Sequence, residues 1–430
     1  MNYAYMPPRQ QILTIMSRLY EYGMTTTSGG NLSIREPNGD IWITPSGVDK
    51  GALRESDMLL MRGDTVVEGV HRPSTEYPFH RAILGSRPDF AAVLHAHSSA
   101  LVAFSIVGKL PDTRILPQAS RICGKVGFAP YAIPGSALLG QNIADAFSRG
   151  FDTVILENHG VATGGADLLQ AFQRFETLEF CARAILAAAG LGKVLPLSDG
   201  EIGLLDHQRH LELPESVPAH RSFRERELRR AMAQTIHRAY DQRLMTSTEG
   251  SLSARVDAES FLITPYGIDR KYLEVDDLVL IQGKAREAGK IPSRAAAVHA
   301  EVYRQHPGVH AIISAQPPGV TAFNITGTPL DTRTIPESYI VLRDLPLLPY
   351  GLPFQDEKAL AARLTPHSPV LMIQNDSVMA VGRSITEAFD RLEVAEFTAT
   401  SLLQGRAIGK LAEISQERIR EIEETFKLPK

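Results

Sequence analysis

The first half of the chain alternates between helix-like and strand-like hydrophobic patterns. Apolar residues recur every three or four positions over residues 8–22 and over 167–190, which predicts a helix in each place. A further helix is predicted over 73–85, with Ser74 as its N-cap. Short apolar runs bounded by turn formers predict strands, namely DIWITP (40–45), FAAVLHAHS (90–98) and DTVILEN (152–158). This alternation predicts a layered α/β domain.

The second half of the chain repeats this pattern. The recurring segments keep the same order: 16–34 matches 236–254, 43–53 matches 263–273, 72–84 matches 291–303, DTR at 112–114 matches 331–333, 130–135 matches 349–354, and 154–164 matches 370–382. A period of this length excludes a solenoid of short repeats and indicates a duplicated domain. Each copy is long enough to build a core of its own.

The repeat divides the chain into two domains and a connection. We predict one domain over 1–192, a linker over 193–222 and a second domain over 223–430. The linker holds several prolines and has no clear apolar period. The run RSFRERELRR (221–230) predicts the start of a helix whose charges form a solvent-exposed face.

Composition narrows the class of protein. The 430 residues are 43% hydrophobic and carry a net charge of −4, which argues against disorder, nucleic-acid binding and a polybasic membrane contact. No segment approaches the roughly 20 apolar residues that span a bilayer. The first residues, MNYAYMPPRQQ, do not resemble a secretory signal. Together with two cysteines that form no CxxC pair, these features predict a cytoplasmic protein.

Three histidines and one glutamate are candidates for chemistry. His95 and His97 project from the same face of a predicted strand and could reach one ion, although an HxH pair alone is a weak signal. His159 follows another strand, where a single histidine is more often structural. Glu76 lies near a helix start, where a carboxylate is favoured by the helix dipole alone.

The second copy provides an internal comparison for these four residues. At the positions that match His95, His97, His159 and Glu76 it carries other side chains, namely Ser314, Gln316, Asp376 and Ala295. His80, in contrast, keeps its counterpart His299, so we assign His80 a structural role. Residues that are lost together most simply share one function. The comparison therefore predicts a divalent-metal site in the first copy only.

Three turns of the first copy could hold an anion. SGGN (28–31), PSG (45–47) and PST (73–75) supply backbone N–H groups and hydroxyls that can cradle a phosphate without a cation, although ordinary turn chemistry explains them equally. In the second copy Ser251 replaces Asn31 and Tyr266 replaces Ser46. Glu249 would also repel an anion there. The second pocket is therefore expected not to bind phosphate.

The motifs GGN-S, TPSG, PSTE, HAH, PYAxxG and ENHG, in this order, resemble the class II aldolase/adducin family, which includes L-fuculose-phosphate and L-rhamnulose-phosphate aldolases and L-ribulose-phosphate 4-epimerase. The resemblance is specific over about 12–190 and eroded over about 230–405. It implies an α/β fold, a three-layer α/β/α class II aldolase-like domain duplicated in tandem. The second domain would be degenerate and lack the metal ligands.

The resemblance also implies roles for individual residues. His95, His97 and His159 would bind zinc, and manganese or cobalt would suit the same ligands. Glu76 would be the catalytic acid/base, and Tyr131 falls where the L-fuculose-phosphate enzyme places a proton-donating tyrosine. The positions at which the family's aldolases hold the substrate phosphate are occupied by Gly30, Asn31, Ser46, Gly47, Ser74 and Thr75.

The function implied is reversible aldol cleavage of a sugar phosphate or a related small hydroxy-ketone through a metal-stabilised enediolate. Other chemistry of the family is the alternative, namely 4-epimerisation, dehydration or decarboxylation. An epimerase would be expected to carry an extra carboxylate near Asp112, but the DTR triplet is kept in both copies. A non-catalytic, adducin-like interaction protein is the third hypothesis. It suits the second domain better than the first.

The duplication suggests how the protein assembles. The family's aldolases form four-fold rings with active sites between subunits, so two copies of this chain could form a pseudo-four-fold ring. We therefore expect a homo-oligomer that binds a small-molecule substrate. In such a ring the active site would take its tyrosine from a second-type domain, and Tyr350 is present at the required position.

Overall fold

The computed structural model describes residues 3–207, 212–218 and 220–428, which form two compact units. The first unit runs to residue 113 and includes 118–183, and the second comprises 114–117 and the chain from 184 onward. The domain boundaries at 192 and 222 remain predictions. Residues 208–211 and 219 of the predicted linker lie outside the described residues, as do the outermost residues of both predicted domains.

The elements up to residue 188 confirm the predicted α/β alternation. In chain order they are α1 (Pro8–Glu21), β1 (Asn31–Arg35), β2 (Ile41–Ile43), β3 (Leu59–Arg62), β4 (Thr65–Glu68), α2 (Tyr77–Ser86), β5 (Ala92–Ala96), α3 (Ser99–Ile106), α4 (Pro117–Cys123), β6 (Val126–Ala129), α5 (Ala137–Ser148), β7 (Thr153–Leu156), β8 (Gly160–Gly165) and α6 (Leu168–Ala188). The strands form one sheet in the order β4-β3-β2-β1-β5-β8-β7-β6. Only the β6–β7 pair is parallel among these strands.

One face of this sheet is covered by α2 and α5, which pack closely together over an apolar core. Val93 of β5 belongs to this core, as do Phe79 and Ile83 of α2. Side chains alternate along a strand, so His95 projects from the same face as Val93, toward the helix that follows Glu76. The fold thus directs the strand's histidine toward the beginning of α2.

The second half repeats the architecture with additional short elements. They are α7 (Asp199–Gly203), β9 (Glu215–Ser216), α8 (Phe223–Asp241), β10 (Ser251–Arg255), β11 (Ser260–Ile263), β12 (Val279–Gln282), β13 (Ala285–Glu287), α9 (Ala296–Gln305), β14 (Ala311–Ala315), α10 (Pro318–Thr326), α11 (Pro336–Leu342), β15 (Leu347–Leu348), α12 (Leu352–Gln355), α13 (Glu357–Ala361), β16 (Val370–Ile373), β17 (Val378–Gly382), α14 (Ile385–Ile408) and α15 (Gln416–Thr425). The sheet order is β15-β16-β17-β14-β10-β11-β12-β13-β9. Short 3-10 helices lie at Tyr3–Tyr5, Glu55–Asp57, Thr113–Ile115, Leu204–His207 and Arg270–Tyr272.

Strand register supports the alignment of the two copies. Asn31 of β1 lies opposite His95, and Ser251 of β10 lies opposite Ser314 in the same way. Asn158 and Asn375 both adopt a left-handed backbone, with φ of 52° and 53°, at the turn before the third ligand position. The two sites can therefore be compared residue by residue.

One local prediction is wrong. Ser74 is not the N-cap of α2, because the helix begins at Tyr77 and Glu76 is its cap residue; the Ser74 hydroxyl instead accepts the Glu76 N–H. The described part of the predicted linker contains α7 and β9, and β9 pairs with β13. Each of the described helices is too short or too polar to cross a bilayer.

The predicted solvent-exposed face of the second copy's first helix is confirmed for four charges and is wrong for Glu225 and Arg229; the exposed ones are Arg224, Arg226, Glu227 and Arg230. Arg229 of α8 is 2% exposed, and its guanidinium pairs with Glu225 at 2.8 Å and Glu287 at 2.7 Å. Burial acts to raise the pKa of Glu287, but hydrogen bonds from Lys290 and Arg229 lower it to about 2. The charge run alone could not predict this buried network, because Glu287 lies far away in sequence, on β13.

Candidate metal centre

The three predicted ligands converge in the first unit. His95 and His97 lie at the end of β5 and just beyond it, and their Nε2 atoms are 2.8 Å apart. His159 lies in the tight turn between β7 and β8, and ligand atoms of the three residues all fall within 4.8 Å of one another. This confirms the spatial grouping expected from the sequence. Three imidazole nitrogens brought this close together are suited to one tetrahedral ion with an open position.

The protonation of the histidines also suits a metal. The Nδ1 atom of His95 lies 2.9 Å from the carbonyl of Val161, which fixes the Nδ1–H tautomer and leaves Nε2 free to coordinate. Complete burial, followed by the charges of His97 and His159, lowers the pKa of His95 well below its usual value. Burial also lowers the pKa of His97. Neutral imidazole is the form that binds metal ions, so the residues fit the group that the sequence predicts.

Glu76 stands directly beside the histidines. Its carboxylate lies 3.4 Å from Nε2 of His95 and 3.3 Å from Nε2 of His159, and the residue is 7% exposed. The side-chain amide of Asn31 donates a hydrogen bond to the carboxylate at 2.7 Å. The carboxylate is therefore held at the ligand cluster, where it can act on a molecule bound to the ion.

A chain of buried hydrogen bonds through His80 and Asn31 supports Glu76. The Nε2 of His80 donates to the side-chain oxygen of Asn31, and its Nδ1 accepts from Ser33 at 2.7 Å. Burial lowers the pKa of His80 to about 3, so the ring stays neutral. His80 is structural, as expected, but its position also orients the amide that holds Glu76. The sequence placed Asn31 only among phosphate-binding residues and gave no sign of this link.

Two glycines of the first copy make room for His97. A Cβ at Gly29 would lie 2.9 Å from Nδ1 of His97, and a Cβ at Gly160 would lie 2.5 Å from its Cδ2. Both glycines have φ outside the left-handed region, so space rather than backbone conformation requires them. Neither glycine was predicted to matter from the sequence, although the repeat contains a signal for both, because their counterparts are Glu249 and Ser377.

In the second copy, Glu249 and Ser377 belong to the pocket that lacks the three histidines. Ser377 donates a hydrogen bond to Asp376 at 2.8 Å. Burial raises the pKa of Asp376 to about 6 and that of Glu249 to about 7. Such carboxyls are partly protonated near neutral pH. The second pocket has thus exchanged imidazoles for oxygen-bearing side chains.

The three turns predicted to hold phosphate are brought together. The Ser46 N–H donates to the carbonyl of Arg72 and the Ser74 N–H to that of Thr44, so the second and third turns lie side by side. The first turn joins them because the Thr44 hydroxyl accepts the N–H of Leu32. Their members differ in environment. Asn31 and Ser74 are buried, Gly30 and Gly47 adopt φ of 74° and 71°, and Ser46 and Thr75 are at least partly exposed.

Neither predicted tyrosine is placed beside the ligands by a described contact. Tyr131 is 54% exposed and its backbone N–H donates to Glu157; among the described residues no hydrogen bond or ring contact joins it to the histidines. The Tyr350 hydroxyl donates to the carbonyl of Glu201 at 3.0 Å, and its ring packs edge-on against Phe354. Their catalytic roles remain predictions.

A metal bound by the three histidines would stabilise the folded protein. At a free zinc concentration 100 times the dissociation constant, linkage predicts about 2.7 kcal/mol of added stability. We expect zinc to raise the melting temperature of the wild type and to leave that of His95→Ala unchanged. Ser314→Ala, at the matching position of the second copy, should respond as the wild type does. An equal zinc response in His95→Ala would show that the ion binds elsewhere.

Known proteins were compared with the chain. The model of the family described as Class II Aldolase and Adducin N-terminal domain matches residues 10–186 and 230–403. L-fuculose phosphate aldolase of Methanocaldococcus jannaschii is 34% identical over 180 residues, which cover 41% of this chain and 95% of that protein. The 3-oxo-tetronate 4-phosphate decarboxylase of Haemophilus influenzae is 32% identical over 194 residues, covering 44% and 91%.

A solved structure of L-fuculose 1-phosphate aldolase is 33% identical, with a TM-score of 0.42, and the match covers 46% of this chain and 93% of that one. Each relative thus corresponds to less than half of the chain, whereas the family model matches both halves separately. The chain belongs to the class II aldolase and adducin family, as a tandem duplication of its domain.

Proposed function

We propose that the first copy is the catalytic half of a metal-dependent aldolase, a lyase that reversibly cleaves a phosphorylated sugar or a related small hydroxy-ketone. His95, His97 and His159 bind the ion, with zinc as the first choice and manganese or cobalt as alternatives. The observation that carries the proposal is the carboxylate of Glu76 within 3.3–3.4 Å of two ligand imidazoles. A protein that merely stored metal would have no use for a held carboxylate there.

Each residue of the proposed site has a separate role in the reaction. When bound, the ion supplies Lewis acidity that polarises the oxygen of a substrate ketone. Glu76 moves the proton on the neighbouring carbon, and Asn31 keeps its carboxylate in place by the hydrogen bond at 2.7 Å. Val161 fixes the ring of His95. The turns at 28–31, 45–47 and 73–75 hold the phosphate, which orients the sugar toward Glu76.

Decarboxylation is the second candidate. A relative of 32% identity over 194 residues is named a 3-oxo-tetronate 4-phosphate decarboxylase, and its identity is similar to that of the aldolase relative, which is 34% over 180 residues. Both reactions break a carbon–carbon bond beside a carbonyl, so the metal site suits either. Epimerisation, dehydration and a non-catalytic, adducin-like role have no comparable support among these relatives.

A substrate panel separates the two reactions. Full-length protein loaded with zinc is incubated with ketose 1-phosphates and, separately, with 4-phosphorylated 3-oxo-sugar acids. Release of glycolaldehyde-type or lactaldehyde-type products with dihydroxyacetone phosphate supports the aldolase. Release of carbon dioxide from the acids identifies a decarboxylase. Turnover that persists after complete chelation of metal, or metal-loaded protein that turns over neither class, would contradict the proposal.

The tyrosine at the active site is proposed to come from a second-type domain of another chain in a pseudo-four-fold ring. The Tyr350→Phe variant should lower kcat, on the order of 10²-fold or more if the tyrosine is a general acid. Tyr131→Phe should have a smaller effect. Because Tyr350 donates to Glu201 in its own unit, supply of a proton requires that this bond be exchanged. Full turnover in Tyr350→Phe together with loss in Tyr131→Phe would reject the cross-domain arrangement, as would a protein that remains active as a monomer.

A further inference from the structure

Lys50 is a buried cation between the turns that are proposed to hold phosphate. Its side chain belongs to a residue that is only 4% exposed, and Nζ donates to the carbonyl of Pro45 at 2.6 Å. Its backbone N–H donates to Thr27 at 2.9 Å. The lysine thus ties the turn at 45–47 to the chain that leads into the turn at 28–31.

No carboxylate neutralises this lysine within the described part of the chain. Its side-chain ammonium donates to a neutral carbonyl, and the adjacent Asp49 is exposed and accepts the N–H of Gly51. Burial alone lowers the pKa of Lys50 to about 8, with no opposing anion. A buried ammonium without a counter-charge is costly, since desolvation is not repaid.

In the second copy, the position that matches Lys50 carries a cation with a carboxylate nearby. Arg270 replaces Lys50, is also buried, and donates to the carbonyls of Gly250 and Ile268. Burial lowers the pKa of Arg270, and the negative charges of Glu249 and Asp269 act in the opposite direction. Glu249 occupies the position of Gly29, so the first copy has the cation and lacks the anion.

Each of the three turns also has a backbone N–H donor for which the described residues provide no acceptor. In the first copy the backbone N–H groups of Gly30, Gly47 and Thr75 have no acceptor among the described residues. A Cβ at Gly47 would meet nothing within 4 Å, so open space adjoins this turn. Free N–H donors and an uncompensated cation are what a phosphate dianion requires.

We infer that Lys50 supplies the counter-charge for the phosphate group of the substrate and makes the first copy selective for phosphorylated over unphosphorylated molecules. The inference rests on the proposed function, and it adds a cation to a site that the sequence motifs described as free of one. Lys50 is a specificity-determining residue: it acts on the end of the substrate that does not react. The ligand chemistry is a phosphate monoester, and inorganic phosphate shares it.

The test compares Lys50→Met and Lys50→Gln with the wild type as full-length, metal-free protein. Calorimetry with inorganic phosphate is expected to show affinity reduced on the order of 30-fold or more in both variants, the scale for removing one partner of a buried charge pair. Lys50→Arg, which carries the residue of the second copy, should retain binding. Lys284→Met, at an exposed lysine of the second copy, controls for net charge.

Stability separates this role from a structural one. If Lys50 serves the anion, its neutral variants should melt at the same or a higher temperature than the wild type without phosphate, because an uncompensated charge is gone. A purely structural lysine would give lower melting temperatures and unchanged phosphate affinity in the folded fraction. With metal restored, a rise in KM for a ketose 1-phosphate at nearly constant kcat would support the inference and show that the sugar phosphate uses the same site.

The outcomes keep the two proposals apart. Phosphate affinity equal to the wild type in both neutral variants overturns the inference and leaves the aldolase proposal standing. A wild type that binds no phosphate but cleaves an unphosphorylated substrate does the same. Lysine-dependent phosphate binding in a metal-loaded protein without carbon–carbon cleavage supports the inference and rejects the proposed reaction.

Discussion

Replacing Glu76 with glutamine is expected to lower kcat by ~10²–10⁴-fold, the usual contribution of a general acid or base, while the bound metal stays at one ion per chain. Glutamine has nearly the same shape and can still reach Asn31, but it cannot accept the carbon-bound proton. The ring of His95 does not depend on the carboxylate for its orientation, because the carbonyl of Val161 holds it independently. Metal content by mass spectrometry and initial rates on the same preparation give both quantities.

A matched control is available in the second copy. Glu249→Gln removes a carboxyl that is also buried at a pocket of the same fold, and it is expected to change kcat less than about threefold because that pocket has none of the three imidazoles. Loss of metal from Glu76→Gln would make Glu76 a ligand rather than a base. Undiminished turnover with metal bound would remove Glu76 from the mechanism.

Adding a single methyl group at Gly29 is expected to weaken zinc binding by about 10–100-fold, the range found when groups that orient metal ligands are altered. The new Cβ would lie 2.9 Å from Nδ1 of His97, and the ring must turn away from the cluster to accept it. Gly160→Ser should have a larger effect, since its Cβ would approach the same ring to 2.5 Å. Competition with a fluorescent zinc chelator measures both affinities.

The second copy shows that the histidine, and not the rest of the scaffold, is the obstacle. Thr26 also lies 2.9 Å from a Cβ at Gly29, but its counterpart Thr246 coexists with Glu249. Gly85→Ala, in α2 where a Cβ meets nothing within 4 Å, is the control and should bind zinc normally. Zinc affinity in Gly29→Ala and Gly160→Ser equal to that of Gly85→Ala would refute the steric argument.

The layered fold and the grouping of the three histidines could be predicted because both depend on local pattern and on the repeat. Helix and strand periods are visible over a few residues, and strand alternation places His95 and His97 on one face. These features need no knowledge of distant contacts beyond those that the duplication supplies.

Other features depend on contacts between residues far apart in sequence. The Asn31–Glu76 bond spans 45 positions and the His80–Asn31 bond 49, so neither leaves a periodic signal. The burial of Arg229 within the charge run of α8 could not be predicted, because its partner Glu287 lies on a distant strand. Lys50 was not predicted as a site residue. The turn residues beside it in sequence do not indicate that its long side chain is buried together with its charge.

Glu249 and Ser377 stand where the first copy has Gly29 and Gly160. These two differences also affect whether the second copy could regain a metal site by mutation. A histidine restored at Gln316 alone would meet side chains where the first copy has hydrogen atoms. A glycine restored alone would gain no ligand and would give up packing. No single substitution toward the metal site is therefore expected to improve the second copy. The shape of its pocket keeps the second copy without a metal site, whatever selection now acts on it.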